Sequence, residues 1–304
     1  MTRPEKCLLL DTPSLYFRAF YGVPESVTAP DGMPVNAVRG LIDMIATLLR
    51  DHSPTRLAAC MDADWRPAFR VAAIPSYKAH RVATDDGAET VPDALAPQVP
   101  VIEQVLDALG IARVGVPGYE ADDVIGTLAA RATGAVDIVT GDRDLFQLVD
   151  DAKPCRALYT VRGIRNLQVV DEAFISQKYG IPGRAYADFA TLRGDTSDGL
   201  PGVAGIGEKT AAALITRFGS LAAMLAALDA GATDGFTGGA RNKLAAARDY
   251  LEVAPTVVWV ARDAPLPELD LTRPAKPRDP ERLIALSERY GLDSPLNRLL
   301  AVLG

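Results

Sequence analysis

Three short apolar runs, each finishing on an aspartate, constrain this chain more than anything else in it. KCLLLD ends in Asp11, RLAACMD in Asp62 and AVDIVTGD in Asp142, and each has the apolar texture of a buried strand. Between the first two, Val35, Val38, Leu41, Ile42, Ile45, Leu48 and Leu49 recur at helical spacing, and before the third so do Val124, Ile125, Leu128 and Ala129. Strands alternating with helices predict an α/β fold with a mostly parallel sheet, whose ligands gather at the carboxyl ends of the strands. Asp11, Asp62 and Asp142 are therefore expected to be neighbours.

Six further acids fall into the same pattern. Glu120, Asp122 and Asp123 open the helix in GYEADDVIG, Asp144 follows Asp142 in TGDRD, and Asp195 and Asp198 stand in the turn-rich stretch GDTSDG. Taken singly, each is more often a solvated charge or a helix cap. Together, three Asp-terminated strands and three paired-acid stretches point to a site whose mutual repulsion is offset by cations. No histidine lies near any of the nine in sequence. Oxygen-only donors favour magnesium or manganese, two or more ions in a phosphoryl-transfer site.

Two other stretches carry chemistry. From Asp62 to Pro100 the chain is proline-punctuated, and its first half interleaves Arg66, Arg70, Lys78, His80 and Arg81 with Trp65, Phe69 and Tyr77. Basic and aromatic residues together suit phosphates and bases, although a solvated loop with core-plugging aromatics has the same composition. Later, Gly202, Gly205 and Gly207 precede an alanine-rich helix beginning near Lys209 and Thr210, which lets backbone N–H groups and a helix N-terminus approach a phosphate. The spacing is not that of a nucleotide P-loop. A short helix at LFQLV, a hairpin through Tyr159 to Val170 and a helix in DEAFISQKYG are expected between these stretches, and mainly helices after them.

The chain has 304 residues, 48% hydrophobic and 23% charged, enough for one large domain or two unequal ones. Its N-terminus does not read as a signal peptide, and no apolar run has the length of a membrane span, so a cytoplasmic protein without membrane partners is expected. Cys7, Cys60 and Cys155 lie far apart, which favours reduced thiols over disulfides or zinc ligation. The net charge of −7 would ordinarily discourage a nucleic-acid partner, but two divalent ions would offset more than half of it.

The sequence resembles the 5′ nuclease family: the N-terminal nuclease domain of bacterial DNA polymerase I, phage 5′ nucleases and, more distantly, flap endonucleases. The resemblance rests on LLLD with Arg18 downstream, FRxxxxPSYKAHR, PGYEADD, TGDRDLFQL and GDTSDGLPGVAGIGEKTA, and runs from about Lys6 to Gly219. It implies a PIN-like nuclease core over residues 1–190 with a helical arch inserted near 65–97. A helical duplex-binding region would follow over 191–304, with a helix-two-turn-helix near 194–219. The nine acids match the family's metal positions, Asp195 and Asp198 mainly at the second site. Lys78, Arg81 and Arg18 match catalytic positions. Arg70, Tyr77, Gly202, Gly205, Gly207, Lys209 and Thr210 match DNA-binding ones, with a potassium ion at the Gly-rich element. The implied activity is 5′-3′ exonuclease and flap endonuclease hydrolysis of DNA with 5′ ends, flaps, nicks or gaps, RNA-primed DNA included, by a monomer in replication and repair. A non-catalytic DNA-junction binding protein and a metal-dependent ribonuclease are the alternatives. Two departures stand out: Thr12 and Pro13 follow Asp11 where the family often has glycine, and Gly199 replaces a frequent asparagine. No polymerase region follows Gly304, so a stand-alone member is expected.

Overall fold

LLLD becomes the centre of the sheet because both of its faces are covered. Leu8 and Leu10 point into one apolar layer and Cys7 and Leu9 into another, all buried, which is why the run shows no polar alternation. The computed structural model describes residues 5–83, 88–236 and 239–303. Six strands lie in it: β1 (Lys6–Asp11), β2 (Arg56–Cys60), β3 (Ala112–Val114), β4 (Ala135–Thr140), β5 (Cys155–Tyr159) and β6 (Gln168–Val170). They run in the order β3-β2-β1-β4-β5-β6, all parallel except β6, which pairs antiparallel with β5 as the expected hairpin. The order reverses between β1 and β4, so the crevice beyond their carboxyl ends is the binding position this topology creates.

The first half contributes helices α1 (Thr12–Gly22), α2 (Asn36–His52), α3 (Ala68–Ala73), α4 (Val99–Leu109) and α5 (Ala121–Arg131). After them come α6 (Glu172–Tyr179), α7 (Tyr186–Arg193), α8 (Glu208–Phe218), α9 (Leu221–Asp229), α10 (Ala240–Ala246), α11 (Arg248–Val258), α12 (Pro280–Tyr290) and α13 (Asp293–Leu303). Thr12 and Pro13 do not divert the chain after β1: Asp11 caps α1 through the Ser14 N–H at 3.3 Å, and Pro13 sits in the first turn, where no N–H is needed. The apolar stripe of α2 packs with α1, α4, α12 and α13 over one face of the sheet. Val124, Ile125 and Leu128 of α5 cover the other. A third core joins α6 through α11 around Tyr186, Phe189, Leu214 and Leu251.

Two expectations are revised by this packing. α12 and α13 fall in residues 191–304, the region expected to grip duplex, yet their leucines are built into the core of α2 and α4. RLAACMD stops pairing as a strand at Cys60, leaving Asp62 in the loop beyond. The run TVVWVA ends α11 and then leaves it in extended form from Trp259.

Candidate active site

Because β1, β2 and β4 are adjacent and parallel, the acids at their carboxyl ends meet. Asp11, Asp62, Glu120, Asp122 and Asp142 line one cavity of about 200 Å³, together with Ser14, Phe17, Trp65, Lys78, Arg81 and Glu89. Glu120 and Asp122 arrive from the N-terminus of α5, whose acidic first turn suits the positive end of the helix. A roomier cavity of about 340 Å³ lies at the opposite ends of the strands, beside Cys7, Arg56 and Arg131, and none of the nine acids lines it.

Asp11 is buried and its carboxylate is held on both sides, by the Ser14 N–H and by the Thr140 hydroxyl at 2.6 Å. Its burial pushes its pKa up to about 6; the Thr140 bond opposes the push and the charge of Asp142 adds to it. Asp62 is exposed by area yet lies inside the cleft, where the surrounding walls and then the charges of Glu120 and Asp11 drive it upward against the Ala121 N–H bond. Asp122 is raised for the same reasons, burial first and then Asp11 and Asp142. Too much negative charge is gathered here for the cations present.

A second acid group adjoins the first. Asp144 is raised by burial and by Asp142, Asp198 and Asp195 in turn, and Asp198 is raised by burial although Lys78 and Arg81 oppose it. Asp195 caps the turn Thr196–Asp198 through the Ser197 N–H at 2.9 Å. Gly199 follows at φ +71°, and a Cβ there would stand 2.2 Å from the Ser76 carbonyl, so glycine is required where the family often has asparagine.

The inserted segment is drawn down onto this edge. Lys78 holds a left-handed backbone, φ +48°, with its N–H on the Asp198 carbonyl at 2.9 Å, and its ammonium reaches Glu120 Oε2 and the Trp65 carbonyl. Burial alone would lower its pKa, but Glu120 and Asp198 hold it above the ordinary value. Arg81 donates to Asp198 at 2.7 Å and to the Ser197 carbonyl. Over its described residues the segment has one six-residue helix, α3, and short helical turns at Ala79–Arg81 and, where it runs into α4, at Ala96–Gln98; Thr84 to Gly87 lie outside them.

Several residues do something other than what the sequence implied. Asp123 is fully buried, with its carboxylate taken by a two-point pair with Arg70 and by the N–H groups of Glu120 and Ala261, so it does not face the cavity. Arg70 and Tyr77, read as DNA contacts, are buried beside it, and Arg66 staples the segment internally through the Tyr77 and Pro75 carbonyls. Gly202 is packed against Arg193 and Gly194, whereas Gly205, Gly207 and Lys209 are exposed and Thr210 half-buried at the start of α8. Arg18 lies half-buried on α1, one turn past Ser14, and does not line the cavity. Thr140 and Ser14, which no sequence pattern singles out, brace the site: Thr140 on Asp11, and Ser14 Oγ accepting from the Gly141 N–H at 2.9 Å.

In donor chemistry the cavity suits a hard divalent cation, with carboxylate oxygens in excess of positive charge. Among the described residues, no three His, Cys, Asp or Glu side chains already converge as a closed metal cage. The Lys78 ammonium stands among the oxygens instead.

Comparison with known proteins agrees along the whole chain. Residues 6–180 match the 5′-3′ exonuclease N-terminal resolvase-like domain and residues 181–280 the 5′-3′ exonuclease C-terminal SAM fold. A 5′-3′ exonuclease of Streptomyces coelicolor is 63% identical over 300 residues, covering 97% of this chain and 99% of its own length. One from Mycobacterium tuberculosis is 52% identical, covering 96% of each. In structure, the T5 D15 protein co-crystallised with metal ions superposes with a TM-score of 0.64 at 16% identity, over 99% of this chain and all of that one. The catalytic core of Rad2 in complex with DNA substrate gives 0.59 at 17%, over 99% of this chain and 94% of that one.

Proposed function

Since the chain belongs to the 5′-3′ exonuclease family, matching its two domain models and full-length relatives, we propose that it is a structure-specific 5′ nuclease hydrolysing DNA phosphodiesters with divalent cations. The observation that carries the reading is the meeting of five strand-end and helix-start carboxylates with the Lys78 and Arg81 cations in one cleft. Asp11, Asp62, Glu120, Asp122 and Asp142 would hold the first magnesium or manganese ion, and Asp144, Asp195 and Asp198 would serve the second. When bound, such ions supply Lewis acidity and positive charge for phosphodiester hydrolysis. Related proteins have been solved with metal ions and with DNA substrate, which supports both parts of the reading.

The chain's own residues divide the rest of the work. Lys78 and Arg81 place two positive charges beside the acids, which offsets part of the repulsion a phosphate entering the cleft would meet. Thr140 and Ser14 fix the orientation of Asp11 and of the Gly141 turn, which prevents rearrangement during reaction. The exposed start of α8, with Gly205, Gly207, Lys209 and Thr210, offers N–H groups and one ammonium to a duplex phosphate, with a potassium ion as a further aid. Substrates are 5′ ends, flaps, nicks and gaps, including RNA-primed ends, met by a cytoplasmic monomer in replication and repair. Incubating 5′-labelled flap DNA with the protein tests this: short 5′ products released only with magnesium or manganese are expected. Binding without cleavage under all metal conditions would establish the junction-binding alternative, and preference for structured RNA the ribonuclease one.

A further inference from the structure

We propose that Arg70, Asp123 and Tyr77 form a positioning pillar that presents a single oxygen of Glu120 to the acidic cleft. The proposal rests on the reading of that cleft as a divalent-cation site. Glu120 has its two oxygens in different surroundings. Oε1 accepts from the Tyr77 hydroxyl at 2.7 Å and from Arg70 Nη1 at 3.1 Å, both buried, while Oε2 faces Lys78 and the cavity. A carboxylate pinned through one oxygen cannot rotate freely, so the other oxygen is aimed.

The pinning group is itself locked. Arg70 gives Nη1 and Nη2 to the two oxygens of Asp123, each at 2.7 Å, and Nε to the Val257 carbonyl at 3.1 Å. Asp123 accepts in addition from the N–H groups of Glu120 at 3.1 Å and Ala261 at 2.8 Å. One guanidinium thereby joins the inserted segment, the start of α5 and the end of α11. A lysine at this position has one point charge and no fork, and cannot satisfy these partners together. Of the neighbouring acids Asp122 and Asp123, the first belongs to the cleft and the second to its support.

A buried ion pair can also be structural and nothing more, so the test turns on the one substitution that leaves the pair intact. Mn²⁺ binding by titration calorimetry and thermal unfolding in chelator are measured on the full chain for the wild type, Tyr77→Phe, Arg70→Lys, Asp123→Asn and Asp122→Asn. Tyr77→Phe removes a single hydroxyl from Glu120 Oε1. It is expected to weaken Mn²⁺ binding about 10-fold with little change in melting temperature, within the range of roughly 10- to 100-fold typical of groups supporting a ligand. Arg70→Lys and Asp123→Asn should weaken binding further while keeping the number of ions, and a variant combining Arg70→Lys with Asp123→Asn, measured in the same way, should be no worse than the worse single one. Asp122→Asn should lose an ion. Tyr77→Phe with wild-type affinity, or Asp123→Asn losing an ion that Arg70→Lys retains, overturns the pillar while leaving the nuclease reading standing. A wild type that takes up no Mn²⁺ overturns both.

Discussion

At the scale of single residues, Lys78 and Lys209 carry the same charge in opposite settings, and their variants should fail differently. Lys78 is buried among acids, whereas Lys209 is exposed at the start of α8. Single-turnover cleavage by Lys78→Ala is expected to fall about a hundredfold, roughly 3 kcal/mol, with duplex affinity nearly kept. Lys209→Ala should instead weaken binding of all sequences alike and lower the salt slope by about one unit. Equal small effects in both would leave Lys209 an ordinary surface charge and Lys78 a buried ion-pair partner with no part in cleavage. Asp142→Asn keeps shape and loses charge, so flap binding should survive while cutting is abolished; near wild-type turnover would move the chemistry elsewhere. Most of the cleft was legible because parallel strands that lead into an aspartate, at the strand end or in the loop just beyond it, bring those acids side by side at one edge of the sheet. Asp123 was not, since a residue three places after the acid Glu120 reads as one more cluster member. The same spacing is that of reciprocal helix-start capping, and only burial tells the two apart.

At the scale of elements, the inserted segment and the Gly-rich loop act as one assembly. Ser76 Oγ donates to the Gly199 carbonyl at 2.9 Å, the Lys78 N–H reaches Asp198, and Arg81 bridges Ser197 and Asp198. Gly199→Ala would force a Cβ toward the Ser76 carbonyl at a positive φ, and is expected to cost about 2 kcal/mol or more. Because the strain falls between two elements that serve the cleft, cleavage should drop further than the melting temperature explains. Unchanged stability in denaturant titrations would show that the loop relaxes away. The three central strands, the hairpin and helices such as α2 and α5 were readable from periodicity, which records how each element is buried, whereas the three-residue β3 is too short to show one. The insertion was not, because basic and aromatic side chains have the same spacing whether they face solvent or each other. Arg66 turns back onto its own segment, Arg70 and Tyr77 hold Glu120 and Asp123 from the buried side, and Lys78 and Arg81 meet the acids from within the cavity.

For the whole molecule, the crowded carboxylates set how stability responds to pH and metal. Asp11 has a folded pKa of about 6, above its unfolded value of about 4, and Asp62, Asp122, Asp144 and Asp198 shift in the same direction. Asp62 is pushed further, to about 7, so across this range the folded state binds more protons than the unfolded one and stability falls as pH rises from about 4 to 7, the reverse of an ordinary salt-bridged aspartate. In chelator, the contribution of this cluster should therefore lower the melting temperature across that window, and millimolar Mn²⁺ should raise it most at the alkaline end. A melting temperature indifferent to Mn²⁺ at neutral pH would contradict the clustered-acid site. The placement of α12 and α13 had no signal in sequence, because an amphipathic helix shows that it is buried and not against what. Leu283, Leu286, Leu296, Leu299 and Leu303 complete the layer that α2 and α4 begin. During synthesis, a nascent chain that has already emerged with all nine acids still lacks these leucines. The layer behind the central strand thus closes only once α13 has cleared the ribosome, so the acids of the cutting edge are spelled out well before the fold that arms them is complete.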